Sequence, residues 1–99
     1  MFKAIILLKR GENMSHDEFK QWWLVDHSGK AAQLPGVRKI VFNLVDDGSA
    51  YDGVSELWFD SKEDFEAAYA TEIGKGVAAD SLAHLSARER MFVVENDIL

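Results

Sequence analysis

His27 is the residue whose type and surroundings best suit acid/base chemistry. Residues three and four apart share one face of a helix, and a helix here gives a stripe of Phe19, Trp22, Trp23, Asp26, His27, Ala31 and Leu34. An imidazole with an ordinary pKa of about 6.5 can exchange a proton at neutral pH, and the two tryptophans could line a pocket for a flat, apolar substrate. The alternative is a structural histidine, hydrogen-bonded to the backbone beside tryptophans that pack in the core.

Glu56 is the second candidate acid or base. It lies in the predicted strand 54–60, where a carboxylate either borders solvent or faces a cavity in which burial raises its pKa. Tyr69 could donate a hydrogen bond to a developing oxyanion or serve only in packing. Asp26 adjoins His27, but neighbouring residues diverge by about 100° around a helix. We therefore expect Asp26 to form a cap or an ion pair rather than to orient the imidazole.

The sequence predicts no metal site and no cofactor. The chain has no cysteine and only three histidines, and His84 has no further ligands at a supporting spacing. We expect His84 to act as a cation at a helix C-terminus. Ser15, Ser28 and Ser61 lie in no nucleophile elbow, and no phosphate-binding loop is present.

Length and composition limit the classes of partner. A chain of 99 residues is predicted to form one domain, 1–99. Its net charge of -6 at pH 7 argues against a nucleic-acid surface, since phosphates are bound by clustered basic residues. The apolar run 4–8 is too short to span a membrane and lacks a cleavage pattern. We therefore expect a cytoplasmic protein with no nucleic-acid or membrane partner.

The elements that must position these residues follow the order β-α-β-β-α-β, which predicts an α+β, ferredoxin-like fold with an antiparallel sheet. Strands are predicted over 2–10, 37–46, 54–60 and 90–96. A capping box from Ser15 to Glu18 begins a helix that reaches about Gln33. A helix capped at Ser61 follows later, and a short helix over 77–85 comes after the glycines at 74 and 76. Gly29 inside the first helix suggests a close backbone approach.

The strand patterns predict a homodimer. Strand one has apolar residues on both faces, Phe2, Ala4, Ile6 and Leu8 on one and Ile5 and Leu7 on the other. Two helices can cover only one face of four strands. A second copy of the chain is the simplest cover for the other face.

The chain resembles the EthD-like members of the dimeric α/β-barrel superfamily. The resemblance rests on the helix that ends in Trp22, Trp23 and then His27, on the turn 34–39, on 56–59 followed by Asp64 and Phe65, and on 83–85. It implies a dimer with a pocket between each sheet and its helices, which His27 would face. A methylmuconolactone-isomerising relative carries a tyrosine at the position of Ile40, which leaves the exact reaction open.

The resemblance also offers other chemistries. Its relatives include cofactor-free isomerases, dehydratases or cyclases, and proteins without a settled activity. Haem-degrading members of the superfamily are similar at Trp58, but their pattern expects an asparagine in strand one and a histidine where this chain has Ala68. Haem degradation is therefore a minor hypothesis.

These observations together favour a cofactor-independent isomerase or lyase. Its substrate would be a small, mostly apolar, oxygenated catabolite such as a lactone, an enone or an aromatic. His27 would transfer the proton with Glu56 as a second acid or base, and Trp22, Trp23, Tyr69 and Ile40 would contact the substrate. The alternatives are a non-catalytic dimeric protein that binds a small ligand, and a cofactor-free or haem-related monooxygenase.

Overall fold

Four antiparallel strands form one sheet in the computed structural model, which describes residues 1–99. The sheet order is β2-β3-β1-β4, with strands β1 (Phe2–Arg10), β2 (Lys39–Leu44), β3 (Gly53–Phe59) and β4 (Leu85–Val93). The helices are α1 (His16–Gln21), α2 (Ser28–Ala31), α3 (Lys62–Ala70) and α4 (Glu72–His84), and a π-helical segment (Trp22–His27) joins α1 to α2. This is the predicted ferredoxin-like fold. None of the helices combines the length and the apolar composition that a membrane span needs.

Both predicted helix starts are confirmed. The Ser15 hydroxyl accepts from the Glu18 backbone N–H at 3.1 Å, and the Glu18 carboxylate accepts from the Ser15 N–H at 2.8 Å. The Ser61 hydroxyl accepts from the Asp64 N–H at 3.1 Å at the start of α3. Each cap satisfies N–H groups that have no partner inside the helix.

The predicted break at Gly74 and Gly76 is wrong, because α4 runs through both glycines. Gly74 instead marks a close contact between helices: a Cβ built there would lie 2.1 Å from the Ala68 carbonyl oxygen of α3. The final strand begins at Leu85 rather than at residue 90, directly after α4. Gly29 has nothing within 4 Å of such a Cβ, so the suggested close approach is absent there.

The helices cover one face of the sheet. Alternate strand residues on this face are buried in the core, among them Ala4, Ile6, Leu8, Leu57 and Phe59. The opposite face, which we call the open face, carries Ile5, Leu7, Val41, Val54 and Met91. All but Met91, which is 44% exposed, are half-buried in the isolated chain. The two-sided apolar pattern of β1 is therefore real.

Candidate active site

The π-helical segment aims His27 at the sheet. The Ser28 N–H donates to the Trp23 carbonyl, five residues back, in place of the α-helical four. This spacing brings the rings of Trp22 and His27, five residues apart, to 4.9 Å between centroids. Both side chains are buried, whereas Asp26, which α-helical spacing places on the same stripe, is exposed. Asp26 is therefore not part of the buried stripe.

Asp80 of α4 holds the imidazole in place. Its Oδ2 accepts from His27 Nδ1 at 2.8 Å and from Trp22 Nε1 at 3.2 Å. Its Oδ1 lies 3.3 Å from Lys30 Nζ and 3.4 Å from His84 Nδ1. A carboxylate can only accept, so neutral His27 carries its proton on Nδ1 and leaves Nε2 unprotonated, as an acceptor 3.4 Å from the Ser81 hydroxyl.

The surroundings set the charge of both groups. Burial chiefly lowers the pKa of His27, and the hydrogen bond that His27 donates to Asp80 opposes that shift only in part. Burial disfavours the charged form of Asp80, but its hydrogen bonds with His27 and Lys30 outweigh this effect and lower its pKa. At neutral pH the pair is therefore a neutral imidazole held by an ionised carboxylate, the state that a general base requires.

The other edge of the His27 ring faces a small inner cavity between helix and sheet. Its apolar lining includes Ile6, Leu8, Trp23, Phe42, Leu57 and Val77, with Ser55, Tyr69, Ser81 and Arg88 as polar members. Ser81 Oγ lies 3.4 Å from His27 Nε2, whereas Asp80 does not line the cavity. The inner cavity has a volume of about 20 Å³, which holds about one water molecule.

A larger outer cleft adjoins the inner cavity. Its volume is about 360 Å³, within the range of small-molecule sites. Cleft and cavity share Ile6, Tyr69, Ala78 and Arg88 as lining residues. Burial raises the pKa of Tyr69, so its hydroxyl stays protonated and can donate. A ligand in the outer cleft would therefore reach towards His27 past Tyr69 and Arg88.

The structure brings some of the predicted site residues together and not others. His27, Trp23 and Tyr69 line the inner cavity, whereas Trp22 does not line it but contacts the His27 ring and donates to Asp80. Ile40 packs against the core without lining the cavity.

Glu56 lies on the open face, away from His27. Its carboxylate is 2.9 Å from Lys3 Nζ, and that hydrogen bond chiefly lowers the pKa of Glu56. Nothing in the structure connects Glu56 with the inner cavity.

Trp23 fits its place because β3 begins with a glycine. A Cβ at Gly53 would lie 2.6 Å from the Trp23 ring, which stacks on Phe42 at 4.4 Å between centroids and 3° between planes. The wall of the inner cavity beside His27 is therefore flat and rigidly packed.

Sequence reasoning missed Asp80 and Ser81. Asp80 is 53 residues from His27 in the chain, so no local pattern connects them. The available signal was an acid four residues before His84, directly after the apolar residues 77–79. Asp80, His27 and Ser81 are connected as in a nucleophilic triad. However, Ser81 lies inside α4, where backbone N–H groups bond within the helix and form no oxyanion hole. No group of three or more histidine or acidic side chains is arranged to hold a metal ion.

For a reaction in which His27 takes up a proton, replacing Asp80 by asparagine is expected to lower kcat/KM about 100-fold, because the imidazolium loses its carboxylate partner. The asparagine oxygen can still accept from Nδ1, so the ring orientation is retained. In the wild-type protein, activity should fall as the pH drops below about 6.5, through the lowered pKa of His27. Asp80 raises that pKa, so the substitution should move the decline to still lower pH.

A pH profile of kcat/KM for both proteins measures this effect. Asp26→Asn is the matched control, because Asp26 adjoins His27 but is exposed, and its profile should be unchanged. If kcat/KM of Asp80→Asn declined at the same pH as that of the wild-type protein, the role of Asp80 would be contradicted.

The lowered pKa of His27 also means that folded His27 binds protons less well than unfolded His27. The free energy of unfolding should therefore fall as the pH drops below about 6.5.

Comparison with known proteins identifies the family of this chain. The sequence profile of the EthD domain matches residues 11–89. A 4-carboxymethyl-4-methylbutenolide mutase from Pseudomonas reinekei is 29% identical over 86 residues, which cover 76% of this chain and 79% of that protein.

Solved structures agree in fold. An EthD family protein from Bacillus halodurans has a TM-score of 0.84 at 21% identity, covering 97% of this chain and 99% of that chain. A dimeric ferredoxin-like protein from Thermobifida fusca has a TM-score of 0.76 at 18% identity, covering 95% of this chain and 90% of that chain. Since the profile match spans most of the sequence, this chain belongs to the EthD domain family.

Proposed function

We propose that this protein is an isomerase-type enzyme that moves a proton within a small oxygenated substrate of the butenolide class, with His27 Nε2 as the base. The observation that carries the proposal is the His27–Asp80 pair: a buried imidazole whose Nδ1 is held at 2.8 Å by a carboxylate and whose other edge borders an apolar cavity. The mutase from Pseudomonas reinekei supports the reaction class.

The proposed step conserves atoms and electrons. Nε2 takes a proton from a carbon activated by the lactone carbonyl, the C–H electron pair enters the conjugated system, and a dienolate forms. The imidazolium is stabilised by Asp80, and the Tyr69 hydroxyl can donate to the enolate oxygen. The imidazolium Nε2–H exchanges with solvent, and Nε2 then delivers a proton to a different carbon of the dienolate, which gives an isomer. Because the step transfers only a proton, it needs neither a metal nor a redox cofactor.

Proton exchange in heavy water tests the proposal. A panel of butenolides, enones and phenols is incubated with and without protein and followed by NMR. We expect protein-dependent deuterium incorporation at one ring position of a butenolide. Chemical-shift changes in the protein without any exchange would overturn the enzymatic proposal and favour the alternative, a protein that only binds a small ligand.

We further propose that the protein is a homodimer in which two open faces pack together. The open face is apolar at its centre and no helix covers it, and the Thermobifida fusca protein of the same fold is dimeric. Burying two such faces removes apolar surface from water on both chains.

Sedimentation equilibrium should return twice the chain mass of 11.1 kDa. Val41→Glu places a charge on the open face and should shift the protein towards monomer. Val25→Glu, the same substitution at a helical position that is 59% exposed, should leave the mass unchanged. A monomeric wild-type protein, or equal effects of the two variants, would refute this arrangement.

A further inference from the structure

The outer cleft carries positive charge that the protein does not neutralise. Lys75 of α4 and Arg88 and Arg90 of β4 line it, and no carboxylate does. None of the three side chains forms a salt bridge or a hydrogen bond with a protein carboxylate, although the chain has 17 acidic and 11 basic residues. In so acidic a protein, three unpaired cations around one cleft indicate a site for a negatively charged ligand.

The strand geometry directs both arginines into the cleft. Arg88 and Arg90 are two residues apart on β4, so they project from the same face of the sheet. They pair with Leu8 and Ile6 of β1, which lie on the helix-covered face. The Arg90 guanidinium lies 5.3 Å from the Phe65 ring centroid and 5.1 Å from that of Phe92. An arginine can contact aromatic rings in this way and still donate hydrogen bonds to an anion from its N–H groups.

Arg88 connects this charge with the base. It lines both the outer cleft and the inner cavity that His27 borders. Both arginines also act to lower the pKa of Tyr69 against the effect of burial, as expected for cations close to its hydroxyl. An anionic group held by the arginines would therefore lie next to Tyr69 and Arg88, which the outer cleft shares with the inner cavity of His27.

We propose that the substrate is a carboxylate, whose carboxyl group binds to Arg88 and Arg90 in the outer cleft while its neutral, reactive end enters the inner cavity. Lys75 adds charge without a fixed orientation. The forked guanidinium matches a carboxylate in a bidentate arrangement. The volumes agree with this division, since about 20 Å³ beside His27 admits only a small part of a ligand whereas about 360 Å³ accepts the rest. This inference rests on the proposed function only for what happens at the His27 end.

A matched pair of ligands tests the charge requirement. Butenolide acetic acid and its methyl ester differ by one charge, and their binding can be followed through the fluorescence of Trp23, which lines the inner cavity. The acid should bind at least about 10-fold more tightly than the ester. Added salt should weaken the binding of the acid and leave the affinity for the ester unchanged. Equal affinities would overturn the proposal, and so would inorganic phosphate competing more strongly than the acid.

A matched pair of variants locates the site. Arg90 lines the outer cleft but not the inner cavity. Arg90→Gln should therefore weaken the binding of the acid about 10-fold and leave the affinity for the ester unchanged. Lys62→Gln removes a cation 5.2 Å from the Phe92 ring, outside the cleft, and should change neither affinity. If both variants weakened binding of the acid equally, the effect would arise from general surface charge, and the assignment of the site would be overturned. Both positions are exposed, so folding should be retained.

These measurements separate the two proposals because binding needs no turnover. Preference for the acid without proton exchange would sustain the carboxylate site and refute the isomerase. Deuterium exchange into neutral butenolides, with equal affinities for the acid and the ester, would support the isomerase and refute the carboxylate site.

Discussion

Replacing His27 by glutamine is expected to lower kcat/KM for butenolide isomerisation by about 10²- to 10⁴-fold, the range that a positioned acid or base contributes. Glutamine can still donate a hydrogen bond to Asp80, but it cannot take up a proton at any accessible pH. The rate of deuterium incorporation and the rate of isomer formation should fall together. Ligand affinity should change little, because the arginines of the outer cleft are untouched.

His84→Gln is the matched control. His84 also contacts Asp80, with Nδ1 3.4 Å from Oδ1, but it stacks on Trp22 and does not line the inner cavity. Most of the activity should remain in this variant. Equal losses in the two variants would show that the effect arises through Asp80 or through packing, and would remove His27 as the base.

Replacing Gly74 by alanine is expected to destabilise the fold by about 1–3 kcal/mol or more. The added Cβ would meet the Ala68 carbonyl oxygen at 2.1 Å and the Tyr69 Cα at 2.4 Å. Both are backbone atoms, so relief requires α4 to move away from α3. Because Tyr69 is on α3 and Asp80 on α4, the same movement should also disturb the site. Urea-induced unfolding measures the loss of stability.

Gly76→Ala gives the opposite expectation at a position two residues away. Nothing lies within 4 Å of a Cβ there, so alanine should stabilise the helix by about 0.5–1 kcal/mol through its better propensity. A loss of stability of equal size in both variants would show that the contact at Gly74 is not what distinguishes the two glycines.

The features predictable from the sequence are those set by neighbours in the chain. The capping box at Ser15 and Glu18 joins residues three apart, and strand alternation follows from a repeat of two, so element order and both faces of β1 could be predicted. The stripe of the first helix was predicted well except at Asp26, because α-helical spacing does not anticipate a π-helical turn. The turn depends on how Trp22, Trp23 and His27 pack against the sheet, which local propensity does not encode.

Features that depend on contacts between distant elements could not be predicted. The partner of His27 lies on α4, whose predicted start at residue 77 misread Gly74 as a break although that glycine serves helix packing. The face of the sheet on which Glu56 lies could not be predicted, for a different reason. Both faces of β3 carry large apolar residues, Leu57 and Phe59 on one and Val54 and Trp58 on the other. Alternation alone therefore does not say which face the helices cover.

The shared oxygen of Asp80 gives this protein an internal spectroscopic reporter. Trp22 Nε1–H and His27 Nδ1–H donate to the same Oδ2 atom. When His27 gains a proton, its stronger pull on that oxygen should weaken the indole hydrogen bond. The Trp22 indole proton should then shift in an NMR spectrum with the titration of His27. The charge state of the base could thus be followed in the unmodified protein, with no ligand bound, through a side chain that itself never takes up a proton.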